Sequence, residues 1–222
     1  MSIIQNVQSV RKSIPPIVEL VCVSKFHSVE NILEAYSAGE RSFGESKVQE
    51  LCSKQEQLPT DIKWHFIGHL QTNKIKYIVP FVHLIHGVDS YKLLKEIDRQ
   101  AAKVNRVVDY LLQVHIAQEE TKFGFSSKEL VEMLFAGKWA DLKHVRIRGL
   151  MGMATFTDDE TQIRAEMRSL KMLFDSIKRD FFEYDDAFSQ LSMGMSDDYQ
   201  IAIEEGSTIV RVGSRIFGER KY

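Results

Sequence analysis

The sequence predicts a closed parallel barrel of eight strands alternating with helices, a (β/α)8 TIM barrel in the α/β class, and three observations carry that expectation. Short apolar or β-branched runs recur near residues 17–24, 41–43, 63–67, 82–86, 107–115, 145–151, 188–192 and 208–212. Segments of helical period fall between them. The chain has 222 residues, a length such barrels reach without splitting into domains. An open doubly wound sheet shares the same alternation and is the second option. No linker is visible, so residues 1–222 read as one domain, and no internal repeat is apparent.

The elements follow in order. The first strand, Ile17 to Ser24, runs straight into Lys25. Ser28 can cap a helix over 29–37 that Gly39 stops. After the third strand, Asn73-Lys74 opens a helix with Lys76 exposed. Ser90 can cap 91–103, whose Leu93, Leu94, Ile97 and Ala101 share one face. From Asp158 to about Phe182, Ile163, Met167, Leu170, Phe174, Ile177 and Phe181 recur three or four apart behind an acidic start. The seventh strand precedes a helix over 197–205 begun by Asp197 and Asp198, and the eighth runs into Val212-Gly213-Ser214.

Lys25 is the most informative residue. Burial disfavours the ammonium form and lowers a lysine pKa, giving the neutral amine that attacks carbonyls and holds a Schiff base. The alternative is a lysine that snorkels from a strand end into water. In barrels of this type chemistry gathers at the strand C-terminal ends, with phosphate sites on the loops after strands seven and eight. Those loops read Leu191-Ser192-Met193-Gly194-Met195-Ser196-Asp197-Asp198 and Val210-Arg211-Val212-Gly213-Ser214. Glycine admits backbone amides to an anion, and serine hydroxyls add donors. Asp197 and Asp198 would repel a phosphate beside them, which leaves Gly213 and Ser214 as the better cradle. The structural alternative is that Ser196 only caps its helix and Gly213 only permits a turn.

The remaining composition narrows the classes. Net charge is -2, with basic residues interspersed among acidic ones, so no nucleic-acid footprint or polybasic membrane segment is evident. The N-terminus lacks a secretory pattern and no apolar run spans a bilayer, which points to the cytoplasm. Cys22 and Cys52 read as reduced packing residues. His65 and His69 straddle Gly68 without the glutamate of a zinc motif, so metal binding is not expected, and His83, His86 and His115 read as satisfied barrel histidines.

The segments Val23-Ser24-Lys25, Phe43-Gly44-Glu45 with Val48-Gln49-Glu50, Trp64 through Lys74, Arg148-Gly149-Leu150-Met151, Leu191 through Asp198 and Arg211 through Gly218 closely resemble the YggS/PROSC family of pyridoxal 5′-phosphate homeostasis proteins. The likeness runs from about residue 17 to the C-terminus. It implies the alanine racemase N-terminal barrel, a fold-type III pyridoxal-phosphate barrel, with Lys25 as the residue that carries the cofactor as a Schiff base. By the same resemblance Ser192, Ser196, Arg211, Gly213 and Ser214 bind its phosphate, and Arg211 faces the ring nitrogen or reaches the phosphate. Met151, Met153, Met193 and Met195 flank the expected site, where a thioether can pack on the pyridine ring. Two positions depart from the family's FGENYVQE: Ser46 replaces an asparagine beside the cofactor, and Lys47 replaces a tyrosine, either attracting phosphate or facing solvent. Glu119 through Gly124 resembles a family loop to which chemistry assigns no role.

Pyridoxal phosphate promotes carbanion chemistry best when a carboxylate keeps its ring nitrogen protonated, which an arginine does not. Racemases of this fold resemble one another in a second β-rich domain that brings a catalytic tyrosine, and no such domain is expected after Gly218. The expectation is therefore a monomeric, non-enzymatic carrier that buffers the cofactor and hands it to apo-enzymes. A pyridoxal-phosphate-dependent racemase or decarboxylase, using His65, Ser46 or Met151, is the alternative. Reduction would place the adduct on Lys25 and not on surface lysines such as Lys54 or Lys103.

Overall fold

The computed structural model describes residues 2–118 and 123–218, so most of the loop at 119–124 lies outside the described residues. Ser2 caps α1 (Ile3–Lys12) through a reciprocal box with Gln5. There follow β1 (Glu19–Val23), α2 (Val29–Ser37), β2 (Ser42–Glu45), α3 (Val48–Gln55), β3 (Lys63–Phe66), α4 (Ile75–Ile78), β4 (Leu84–Val88), α5 (Tyr91–Lys103) and β5 (Val108–Gln113). The chain continues through α6 (Ser127–Phe135), β6 (Val145–Met151), α7 (Glu160–Phe181), β7 (Gln190–Ser192), α8 (Tyr199–Glu204), β8 (Ile209–Val212) and α9 (Ser214–Phe217). The strands close in sequence order into one parallel barrel, with β1 pairing β8 from Glu19–Ile209 to Cys22–Val212.

The local signals act as expected at most helix starts. Ser28, Ser90 and Ser126 each accept the N–H three residues on, and Asp159 accepts those of Thr161 and Gln162 ahead of α7. One start differs. The helix expected from Asp197 begins at Tyr199, with Asp198 in the cap position and its Oδ1 taking the Met195 N–H instead of a helical one. The loop before α8 is thereby folded back toward β7, and Ser196 is released from capping.

Period-two alternation sorts each strand's side chains between two cores. Leu20, Cys22, Phe43, Trp64, Phe66, Ile85, Leu112, Leu150, Leu191, Val210 and Val212 join the large cluster beneath the helices. Val21, Leu84, Leu111, Met151 and Ile209 form a small apolar cluster of their own. His65, His86, Ser192 and Arg211, at alternate positions to those outer residues, are buried with 4% exposure or less. The barrel interior is thus part apolar and part polar. At β6, Gly149 has φ +150°, and a Cβ there would lie 1.8 Å from the Gln190 carbonyl oxygen, so only glycine admits β7.

One lysine is placed differently from a sequence reading, and Lys47 takes the solvent-facing alternative. Lys54 is buried, at 6% exposure, not on the surface. It lies on the inner face of α3, where three oxygens receive its ammonium. Lys47 is exposed, with its Nζ 4.9 Å from the centre of the Phe26 ring.

Candidate functional site

Lys25 stands two residues beyond the end of β1, half-buried in the wall of a cavity of about 300 Å³ at the strand C-terminal ends. Its neighbours are fixed from beneath. The Ser24 hydroxyl donates to Glu45 Oε1 at 2.6 Å, and the Ser24 carbonyl accepts from Lys54 Nζ at 2.8 Å. Lys54 also donates to Glu45 Oε1 at 2.8 Å and to Glu50 Oε1 at 2.7 Å. Glu50 Oε1 in turn accepts the Phe26 N–H at 2.6 Å, holding Phe26 at φ 68°, a conformation that L side chains other than asparagine and aspartate seldom adopt. Both flanks of Lys25 are anchored in one buried ionic cluster.

The two turns on the opposite side are tied to each other. Gly194 has φ +91°, and a Cβ there would meet Ala202 Cβ at 2.5 Å. Past it, Ser196 Oγ accepts the Gly213 N–H at 3.1 Å, and the Arg215 guanidinium donates to the Ser196 carbonyl. A Cβ on Gly213 would lie 3.2 Å from the Val23 carbonyl oxygen, so this glycine lets the end of β8 approach the end of β1. In α9 the helical bonds start with the Ile216 and Phe217 N–H groups, which turns the earlier amides of that turn outward.

Arg211 reaches the cavity from inside the barrel. Its Nη1 donates to Ser192 Oγ at 2.6 Å and its Nη2 to the Gly152 carbonyl at 3.3 Å. Burial pulls its pKa down to about 10, with Asp198 opposing, so the guanidinium keeps its charge at neutral pH.

Five of the residues singled out from sequence, Lys25, Ser196, Arg211, Gly213 and Ser214, line this one cavity. The other three lie elsewhere. Ser192 is fully buried below Arg211. Met151 belongs to the inner apolar cluster, while Met153 and Met195 supply the thioethers at the cavity wall. Ser46 lines a separate, smaller cavity with Lys47, His69 and Lys74. Sequence reading missed His27, Ile67 and Phe156, which also line the site; His27 stacks on Phe217 at 4.9 Å. No pattern marks them, because loop geometry alone brings them to the rim, where Phe156 stays largely exposed. Roomier grooves, of about 580 and 470 Å³, lie along α5 and α7 on the outside of the barrel. Among the described residues no histidine, cysteine and carboxylate group could hold a metal ion, and no helix is long and apolar enough to cross a membrane.

A parallel barrel with a lysine after its first strand, facing glycine–serine turns after its seventh and eighth, is the class of the alanine racemase N-terminal domain. The family model of that description matches residues 1–221. The pyridoxal phosphate homeostasis protein of Aquifex aeolicus is 43% identical over 205 residues, covering 92% of this chain and 88% of that protein. PipY of Synechococcus elongatus, solved with PLP bound, is 35% identical with a TM-score of 0.87, covering 97% of this chain and all of that one; its structure without PLP gives 0.91. An alanine racemase of Clostridium difficile shares the fold at a TM-score of 0.79 and 11% identity, with this chain spanning 56% of it. The chain belongs to the family of pyridoxal phosphate homeostasis proteins.

Proposed function

We propose that this protein binds pyridoxal 5′-phosphate reversibly, holding its aldehyde carbon on Lys25 as a Schiff base, and serves as an intracellular reservoir of the cofactor. The observation that carries this is the convergence of Lys25, Arg211, Ser196, Gly213 and Ser214 on one cavity. When bound, the cofactor supplies an aldehyde that condenses with a primary amine, losing water.

The residues fit such a ligand. The Lys54 cluster sets the position of the Lys25 backbone, and the Ser214 hydroxyl with the first amides of α9 supplies donors for a phosphate. Met153 and Met195 offer apolar contact for an aromatic ring. Arg211 adds a fixed cation that donates hydrogen bonds and accepts none. Asp197, the carboxylate among the lining residues, is exposed at the rim.

The same geometry favours a carrier over an enzyme. His65 and Met151 are buried inside the barrel and Ser46 faces another cavity, so none of the three contributes to this one. We take residues 1–222 as a single barrel acting as a monomer, and apo-enzymes that need pyridoxal phosphate as its transient partners. Both cysteines are free, in keeping with a cytoplasmic setting.

Adding pyridoxal phosphate to the purified chain tests this. A visible absorption band should appear, and borohydride reduction with peptide mapping should place the adduct on Lys25. Lys25→Ala should abolish the band. A band of unchanged intensity in Lys25→Ala, or an adduct mapped elsewhere, would overturn the proposal. Exchange of the α-proton of L-amino acids into deuterated water at enzymic rates would replace the carrier with an enzyme.

A further inference from the structure

Below the cavity the barrel axis holds a polar chain that the proposed binding chemistry does not use. Arg211 Nη1 donates to Ser192 Oγ at 2.6 Å. Ser192 Oγ lies 2.9 Å from His86 Nδ1, and His86 Nε2 lies 2.9 Å from His65 Nδ1. His65 Nε2 faces Glu19 Oε1 at 3.5 Å and has no closer polar partner. Glu19 Oε1 also accepts the Ser42 hydroxyl at 2.7 Å. Ser192, His86 and His65 are fully buried. The chain crosses from β8 through β7, β4 and β3 to β1.

Its two ends demand the same polarity. A guanidinium only donates, so Ser192 Oγ is an acceptor toward Arg211, and the serine's own proton needs an acceptor, which His86 Nδ1 supplies. His86 then carries its proton on Nε2 and donates to His65 Nδ1, which leaves the His65 proton on Nε2. At the far end a carboxylate only accepts, and a His65 Nε2–H is what it requires. Reversing both rings would aim a bare imidazole lone pair at Glu19 and the serine proton at a cation. At 3.5 Å the last step is electrostatic attraction more than a good hydrogen bond, but its sign is the same.

We propose that Ser192, His86, His65 and Glu19 form a one-way hydrogen-bond chain that positions the Arg211 guanidinium, with each imidazole holding its single proton on Nε2. Every bond points from the buried cation toward the half-buried carboxylate, so the dipoles reinforce one another. Ser192 is on this view a positioning residue that acts through Arg211, not a phosphate ligand. The effect on the cofactor rests on the function proposed above; the chain itself does not.

The test uses the full chain labelled with ¹⁵N-histidine and ¹⁵N-arginine, at neutral pH and without added ligand. Long-range ¹H–¹⁵N spectra should show His65 and His86 as Nε2–H tautomers. An Nδ1–H tautomer or an imidazolium at either position overturns the chain. Ser192→Ala should remove the bias at His86 and collapse the resolved Nη signals of Arg211, and Ser192→Thr should restore both. Unchanged Arg211 signals in Ser192→Ala would overturn the positioning role. With pyridoxal phosphate added, Ser192→Ala should bind about tenfold more weakly, the loss expected of one hydrogen bond to a charged group, while still forming the Lys25 adduct. Failure of the adduct in the native chain would sink the cofactor function and leave the ligand-free spectra standing.

Discussion

The ammonium of Lys54 lies 2.8 Å from the carbonyl oxygen of Ser24, bonding a buried charge to the backbone immediately before Lys25. Its other contacts reach Glu45 and Glu50, and Glu50 holds the N–H of Phe26 immediately after. Lys25 is the only residue between these two anchors. The positive φ of Phe26 costs about 1–2 kcal/mol, and the bond to Glu50 offsets it.

Removing Lys54 should therefore be costly. Lys54→Met leaves two carboxylates facing each other in a site where Glu45 is fully buried, and breaking a buried pair by deleting one partner costs about 3–5 kcal/mol. Guanidinium unfolding should show that loss, together with slower trapping of pyridoxal phosphate at Lys25. A loss below about 1 kcal/mol would mean that the cluster does not hold the loop.

Stability should fall on acidification in two stages. Burial, followed by the neighbouring His65 and Arg211, holds the pKa of His86 well below the ordinary 6.5. The unfolded chain therefore binds more protons below pH 6.5, and stability declines from there. Burial pushes Glu19 up, but the facing His65 and the Ser42 hydroxyl outweigh it, so its pKa sits at about 2 against 4.5. Its contribution, at most about 3 kcal/mol, is complete above pH 4.5 and vanishes as pH falls toward 2. Thermal melts from pH 8 to 3 should show both stages, with Glu19→Gln flattening the lower one.

Gly68 should tolerate no side chain. A Cβ there would sit 2.2 Å from the Ser46 carbonyl oxygen and 2.8 Å from its Cα, all backbone atoms. Gly68→Ala should cost about 1–3 kcal/mol and shift the loop bearing Ser46, read by urea unfolding and by amide shifts at residues 44–48.

Ser214 should separate anion from aldehyde. Ser214→Ala should weaken pyridoxal phosphate retention about tenfold, the scale of one bond to a charged acceptor, while borohydride still labels Lys25. Pyridoxal lacking the phosphate should bind both forms alike. Equal losses for the two ligands in equilibrium dialysis would mean that Ser214 does not face the phosphate.

Much of this was legible in the chain because the signals are local. Strand runs, the caps Ser28 and Ser90, and the acidic start and apolar face of α7 are set by neighbours within a few positions, and all are present in the structure. Lys25 and Gly213-Ser214 were legible for a related reason: each lies just past a strand end, and closure of a parallel barrel brings every such end to one rim. Other features had no local signature. Whether Ser192 faces an anion or an imidazole, whether Lys54 meets water or Glu45, and whether His86 bonds His65 depend on which inward positions meet across the barrel. That pairing is fixed by strand register and by the packing of α3 on β2 and β3, between residues nine to about a hundred positions apart. The sequence determined the elements, their order and the rim that carries the amine and the serines; tertiary closure decided the partners of each buried polar group, because a charge taken out of water must find its counterpart wherever the fold brings one.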